Sequence, residues 1–133
     1  MYKYLGDESD PYAIVILKDI SPPENSIQFL TREDSGQQLG IMRRKPGHVI
    51  RAHKHNQITR TIKSTQEVLI ILKGCCRIKI FNEHNEFIKE CIISSGDIIM
   101  FARGGHSLEF IEDTIFVEVK QGPYAGLIDK EFI

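Results

Sequence analysis

Short apolar runs separated by turn residues dominate the chain and predict strands rather than helices. The runs are rich in β-branched side chains, and only a short helix near Asp129–Ile133 is expected at the C-terminus. The predicted strands are Ala13–Lys18, Ser26–Thr31, Gln38–Arg44, His48–His55, Ile58–Lys63, Glu67–Lys73, Cys75–Phe81, Glu86–Ile93, Asp97–Ala102, His106–Ile111 and Thr114–Lys120. Such a series of short strands with turn signals between them predicts an all-β, antiparallel sandwich or barrel.

The connections between these strands are short and polar. The segment "FNEHNEF" is expected to form a hairpin tip that leaves His84 exposed, and "SSGD" and "ARGGH" are expected to be turns. The chain has no repeat and no linker long enough to separate domains. At 133 residues, it is predicted to be a single domain, 1–133.

Composition and charge exclude several classes of function. The formal net charge is −1, which gives no general attraction for nucleic acid or for an anionic membrane. The longest apolar runs, "AIVIL" and "VLIIL", are too short to span a bilayer, and the N-terminus lacks the layout of a signal peptide. We therefore expect a cytoplasmic protein. Cys75, Cys76 and Cys91 are expected to be reduced thiols in the protein interior.

Histidines are concentrated in the segment "PGHVIRAHKH". Because side chains alternate across a strand, a strand over His48–His55 would place His53 and His55 on one face, and His48 on the other. Chance alone often produces an isolated His-x-His pair, so its context decides its meaning. Two surface imidazoles on an exposed strand are the simplest alternative.

A carboxylate and a more distant histidine extend this pattern. Glu67 opens the otherwise apolar strand "EVLIIL", where a charge is costly unless it is paired or bound to a metal. His106 follows the turn "ARGG". Together, His53, His55, Glu67 and His106 form a plausible three-histidine, one-carboxylate site for a divalent transition metal, namely Fe, Mn, Ni, Zn or Cu.

With these residues, the sequence resembles the cupin superfamily. The first cupin motif, G-x5-H-x-H followed by E-x6-G, is matched by Gly47, His53, His55, Glu67 and Gly74. The second motif resembles the segment that contains Gly96, Ala102, Gly104 and His106. The resemblance implies an RmlC-like cupin jelly-roll β-barrel (an antiparallel double-stranded β-helix), with a core at about 40–120 and a C-terminal tail at 121–133. It also implies a metal inside the barrel, bound by the four predicted ligands, and a homodimer.

The match departs from the family pattern at several positions. Eleven residues separate His55 from Glu67, whereas the family has three or four. The second motif has Ala102 in place of proline, is one residue short before His106, and ends at Phe110 in place of asparagine. The long spacer is interpreted as an extended hairpin at the mouth of the barrel.

The chain also resembles a narrower group of small bacterial cupins. These share "TQEVL", "GD" followed by "GGH", and a tail of the type "KQGPYAGLIDKEF". Members often accompany genes of carbohydrate or cell-surface polysaccharide metabolism. The expected function is binding of, or action on, a small anionic sugar- or acid-like molecule, with metal-dependent isomerisation or dioxygenation both open.

Two other functions remain open. The segment "RAHKH" resembles the "HAHK" segment of dTDP-sugar ketoisomerases and epimerases, cupins whose histidines act as acid–base groups without metal. The other alternative is a non-catalytic, ligand-binding sensor cupin. Glu67 favours the metal-binding hypothesis over the metal-free enzyme.

Three residues are candidate ligand contacts. Arg51 shares strand parity with His53 and His55, and its planar guanidinium suits a carboxylate or phosphate. Arg60 lies in the spacer between His55 and Glu67. For Tyr124 two roles are open: folding the tail across the opening of the barrel, or attaching the C-terminal segment to the barrel. For the homodimer, Met1–Lys18 is the expected interface, because its apolar run has no obvious partner within the barrel motifs.

Overall fold

The computed structural model describes all residues, 1–133, and divides into two compact units. The larger unit contains residues 1–20 and 64–133, and the smaller unit contains residues 21–63. No helix in the structure is long and apolar enough to cross a membrane. Ten strands run along the chain: β1 (Tyr2–Asp7), β2 (Asp10–Ile16), β3 (Ile27–Phe29), β4 (Gly40–Met42), β5 (Glu67–Lys73), β6 (Cys75–Phe81), β7 (Phe87–Ser94), β8 (Ile98–Phe101), β9 (Gly105–Phe110) and β10 (Ile115–Lys120).

Two antiparallel sheets form the larger unit. The five-stranded sheet has the order β1-β2-β8-β5-β10, and the three-stranded sheet has the order β7-β6-β9. Strand β5 lies between β8 and β10, so both of its edges are hydrogen-bonded. The all-β, antiparallel fold predicted from the sequence is therefore confirmed, whereas a jelly-roll barrel stays a prediction.

The hydrophobic core lies between these two sheets. Along β5, Leu69 and Ile71 point inward from the larger sheet, and along β6, Ile78 and Ile80 point inward from the smaller one. All four are at most 2% exposed. This alternation of buried and less buried positions is the period of two that makes a short apolar run a strand and not a helix.

A buried carboxylate fixes the turn between β7 and β8. Asp97 is only 6% exposed, and its side chain accepts hydrogen bonds from the backbone N–H of Lys18 at 2.9 Å and of Ser94 at 2.9 Å. The Ser94 hydroxyl adds a third donor at 3.3 Å. Because all these donors are internal, Asp97 holds the β7–β8 turn against the end of β2.

Two glycines of the cupin-like motifs occupy turns that no other residue fits. Gly74 joins β5 to β6 with φ +88, and a Cβ there would lie 2.5 Å from the carbonyl oxygen of Asp113. Gly104 precedes β9 with φ +68, and its Cβ would collide with the carbonyl oxygen of Phe81. Both positions combine a left-handed backbone with a close approach of another backbone segment.

The smaller unit contains a single short hairpin. Strands β3 and β4 pair antiparallel, and Leu30, just beyond β3, is buried at 5% exposure. After Arg44, every residue up to Lys63 is exposed and belongs to no strand. The predicted strands His48–His55 and Ile58–Lys63 are therefore wrong, because this segment has no neighbouring strand with which to form a ladder.

Three further expectations need correction. Strand β1 was not predicted, and it pairs with β2 along its whole length. The apolar run Ala13–Ile16, expected at a dimer interface, lies in the interior of the chain, with no residue more than 4% exposed. The C-terminal helix is a 3-10 turn at Gly126–Asp129 and not a stub over Asp129–Ile133.

We expect Asp97→Ala to destabilise the protein by about 2–4 kcal/mol, because it leaves buried N–H and O–H donors without an acceptor. Urea denaturation of the purified variant measures this loss. Asp113→Ala is the matched control: its side chain is 89% exposed and pairs only with Lys73, so we expect a change below about 1 kcal/mol. Equal effects of the two substitutions would contradict the role of Asp97.

Candidate metal- and ligand-binding site

Glu67 lies in a row of side chains that crosses the inner face of the five-stranded sheet. Its direct cross-strand partners are Lys120 on β10 and Phe101 on β8. Glu67 shares its face of β5 with the buried Leu69 and Ile71, so the carboxylate stands at one end of the hydrophobic core. At this end the core changes from purely apolar to charged.

His106 reaches this row from the opposite sheet. It lies on β9 opposite Ile80 of β6, and its ring stacks on Phe101 with a centroid distance of 3.8 Å and an interplanar angle of 3°. The imidazole Nε2 lies 3.2 Å from Oε2 of Glu67. Phe101 thus orients the ring, and the nitrogen faces the carboxylate across the space between the two sheets.

Lys120 completes the immediate surroundings of Glu67. Its Nζ lies 3.4 Å from Oε1 of Glu67 and 2.7 Å from Oε1 of Glu118, which lies two residues earlier on the same strand. The side chains of Glu67, Lys120 and His106 are 14%, 22% and 27% exposed. Each oxygen of the Glu67 carboxylate therefore has one nitrogen partner in a partly buried setting.

These partners lower the pKa of the Glu67 carboxyl group. The hydrogen bond with His106 is the main cause, and the charges of His106 and Lys120 add to it, so the pKa of Glu67 falls to about 2 even though its burial acts in the opposite direction. Glu118 and Glu67 in turn raise the pKa of Lys120. The carboxylate is thus ionised at every pH at which the protein is expected to work.

The C-terminal segment is attached beside this site. Gln66 donates its backbone N–H to Oε1 of Gln121 at 2.8 Å, and Thr65 donates its hydroxyl to the carboxylate of Asp129 at 2.8 Å. A Cβ on Gly105 would lie 2.8 Å from the side chain of Ile133. The segment from residue 121 onward therefore contacts both sheets next to Glu67 and His106.

His53 and His55 lie close to each other in the smaller unit. Their ring centroids are 5.3 Å apart with an edge-on angle of 76°, and Nδ1 of His53 lies 2.9 Å from the carbonyl oxygen of Arg51. Both histidines are exposed. The two imidazoles are adjacent, but an extended loop brings them together and not the shared face of a strand.

The three candidate ligand contacts are exposed. Arg51 and Arg60 lie in the same strandless segment, so the argument that Arg51 shares a strand face with His53 no longer applies. Tyr124 is 85% exposed. Its ring therefore does not attach the tail, which is held instead by Gln121 and Asp129.

The donor chemistry at Glu67 and His106 suits a divalent transition metal. One carboxylate oxygen and one imidazole nitrogen stand 3.2 Å apart, close to the separation of roughly 3.0–3.4 Å expected for two ligands that each lie ~2.1 Å from one metal. No group of three or more His, Cys, Asp or Glu side chains in the structure is arranged to hold a metal ion. Glu67 and His106 therefore supply two donors of a suitable type but not a complete set of metal ligands.

Sequence reasoning did not identify Lys120, Glu118 or Phe101 as neighbours of Glu67. Their positions depend on the register of β5 with β8 and β10, which no local pattern specifies. The one available signal was the pair Glu118 and Lys120, two charges on one face of an otherwise apolar strand.

Comparison with family models, with curated proteins and with solved structures found no match to the chain.

We expect Glu67 to make stability depend on pH in the acid range. A carboxyl group with a pKa of about 2 in the folded protein and about 4.5 in the unfolded chain adds stability that is complete above pH ~4.5 and is lost as the pH falls towards 2. Allowing for solvent screening, we expect wild type to exceed Glu67→Gln by about 1–2 kcal/mol at pH 6, with little difference near pH 2.

Urea unfolding at several pH values tests this expectation. The measured quantity is the difference in unfolding free energy between wild type and Glu67→Gln, because other carboxylates also titrate in this range. The exposed Glu90→Gln provides the control and is expected to show no such trend. A wild-type advantage that is the same at pH 6 and pH 2 would argue against the ionised Glu67 pair.

Proposed function

We propose that this chain is a small, metal-binding cupin that binds or acts on a small anionic, sugar- or acid-like molecule. The observation that carries the proposal is the pairing of Glu67 with His106, a carboxylate and an imidazole placed on facing sheets at the polar end of an apolar interior. The resemblance to both cupin motifs supports the same ligand pair. His53 and His55, which lie next to each other in the smaller unit, stay predicted metal ligands.

In this proposal, the residues around Glu67 and His106 have different roles. Phe101 fixes the plane of the His106 ring, and Glu67 offers an ionised carboxylate that needs no loss of a proton before it binds a cation. A divalent metal held there would supply Lewis acidity or a site for O2. Arg51, Arg60 and Tyr124 stay predicted contacts to the anionic molecule.

A metal-free acid–base enzyme is the second candidate, because His106 and Glu67 also form a hydrogen-bonded dyad. In such a dyad, the carboxylate orients the imidazole and stabilises its protonated form. The two candidates differ in one simple property, which is whether the protein binds a transition metal.

We expect Ni²⁺ or Mn²⁺ to raise the melting temperature of the metal-free protein, since a ligand that binds only the native state adds stability by mass action. At a concentration 100 times the dissociation constant, the gain is about 2.7 kcal/mol. Differential scanning fluorimetry, with EDTA to reverse the shift, measures it. His106→Ala, Glu67→Ala and His53→Ala should each reduce the shift strongly.

The exposed hairpin residue His84 provides the matched control, and His84→Ala should keep the full response to metal. Identical melting curves for metal-loaded and metal-free wild type would exclude the metal-binding function and leave the acid–base dyad. A response that survives in His53→Ala but not in His106→Ala would restrict the site to the larger unit.

We also propose that the protein forms a homodimer. Strand β10 is at the edge of the five-stranded sheet, and Ile115, Val117 and Val119 on its outer face are 53%, 43% and 45% exposed. Unpaired edges with apolar side chains favour association. We expect twice the 15.2 kDa chain mass by light scattering at micromolar concentration. A Val117→Lys variant should shift the protein to monomer, and a monomeric wild type would refute the proposal.

A further inference from the structure

Residues 58–63 have the sequence pattern of a strand but no neighbouring strand in the chain. In an extended backbone, the alternation along "ITRTIK" places Ile58 and Ile62 on one side and the two threonines on the other. No backbone N–H or C=O group of this segment takes part in a backbone hydrogen bond. Ile58 and Ile62 are 62% and 43% exposed, so the single chain covers neither the backbone nor the apolar side chains of the segment.

Strand β10 is a sheet edge that also lacks a neighbour. It is 6 residues long and pairs with β5 on one side only. An edge of this kind presents a row of unpaired backbone N–H and C=O groups. Of the four edge strands, β1, β7, β9 and β10, only β10 carries three exposed apolar side chains in alternation, namely Ile115, Val117 and Val119.

The segment and the edge strand lie in regions of opposite charge. Residues 35–66 contain seven Lys and Arg residues and no Asp or Glu, so all 18 carboxylate side chains of the protein lie outside this stretch. Glu112 and Asp113 directly precede β10, and Glu118 lies within it. The side chains of Asp113 and Glu118 are 89% and 39% exposed. The charges around β10 therefore favour the approach of a basic strand over that of an acidic one.

We propose that residues 58–63 of one protomer add as an outer strand to β10 of its partner, and that the partner makes the same contact in return. This inference rests on the proposed homodimer and names the surface that forms it. Strand addition gives backbone hydrogen bonds to two elements that lack them in the single chain. In the register that puts the apolar side chains on one face, Ile58 and Ile62 cover Val117 and Val119. Because the contact is reciprocal, two such ladders form around a two-fold axis.

Chemical cross-linking tests this contact directly. Two variants, Thr61→Cys and Ile115→Cys, are mixed and treated with a short bismaleimide, whose reach tolerates a shift of register. Each chain carries only one engineered cysteine, so a link between positions 61 and 115 joins two chains. We expect this link to be a main product. Peptide mapping identifies it and separates it from links through Cys75, Cys76 or Cys91.

Lys79→Cys provides the matched control for the cross-link, because position 79 is exposed on β6 of the other sheet. When it is mixed with Thr61→Cys, we expect little linked product. An equal yield of linked product from the two mixtures overturns the proposed contact.

Removal of the apolar side chains of the segment gives a second test. We expect the double variant Ile58→Ser, Ile62→Ser to raise the dissociation constant of the dimer by about tenfold or more in sedimentation equilibrium. The control is Val49→Ser, Ile50→Ser, which removes two other exposed aliphatic side chains of the same unit and should change the constant by less than about threefold. All four side chains are exposed in the single chain, so far-UV circular dichroism should show both variants folded.

The outcomes separate this inference from the homodimer itself. A monomeric wild type removes the homodimer, and this inference with it. A dimer that gives no link between positions 61 and 115, or that is unaffected by the serine substitutions at 58 and 62, keeps the homodimer and overturns strand addition. An equal effect of the substitutions at 49 and 50 overturns the assignment of the contact to residues 58–63.

Discussion

A carboxylate at the edge of an apolar core is the constraint on which the arrangement of this site depends. Glu67 opens a strand whose inward side chains, Leu69 and Ile71, are almost fully buried. A charge in that position costs several kcal/mol unless other groups compensate for it. Two side chains compensate for this cost. Lys120 comes from the next strand of the same sheet, and His106 comes from the facing sheet.

Aromatic packing between the two sheets also supports this arrangement. The His106 ring lies flat on Phe101 of the facing sheet, and in this orientation its Nε2 reaches Glu67. On the other side, Gly104 lets β9 begin close to the backbone of Phe81 without a collision. The geometry at Glu67 thus results from packing around it, and not only from the attraction between the charged groups.

The sequence predicted most of the fold and only part of the site. The bounds of β5 and β6 agree with the predicted strands Glu67–Lys73 and Cys75–Phe81, because each is a continuous apolar or alternating run ended by a turn residue. Strand β1 was missed because "YKYLGD" has no β-branched residue and depends on pairing with β2. The segment 48–63 was predicted as strands because its polar and apolar residues alternate as they do along a strand. A strand also needs a neighbouring strand as hydrogen-bonding partner, and alternation in the sequence does not show whether one is present.

The same difference between local pattern and tertiary pairing explains what was missed at the site. Glu67 was identified because a charge stands out in an apolar run, and His106 because of its motif. Lys120 and Phe101 have no such local signal, since their closeness to Glu67 comes from cross-strand register. Predicting them requires the sheet order, which follows from how the eight short strands of the larger unit share one core.

The contact between His106 and Glu67 also determines what the proposed binding of a metal by this histidine would require. To donate to the carboxylate, Nε2 must carry a proton, whereas a metal ligand needs the lone pair on that nitrogen. A metal held by Nε2 would therefore need the proton on the other ring nitrogen, Nδ1. Glu67 meets the opposite requirement, because its pKa of about 2 leaves no proton to remove.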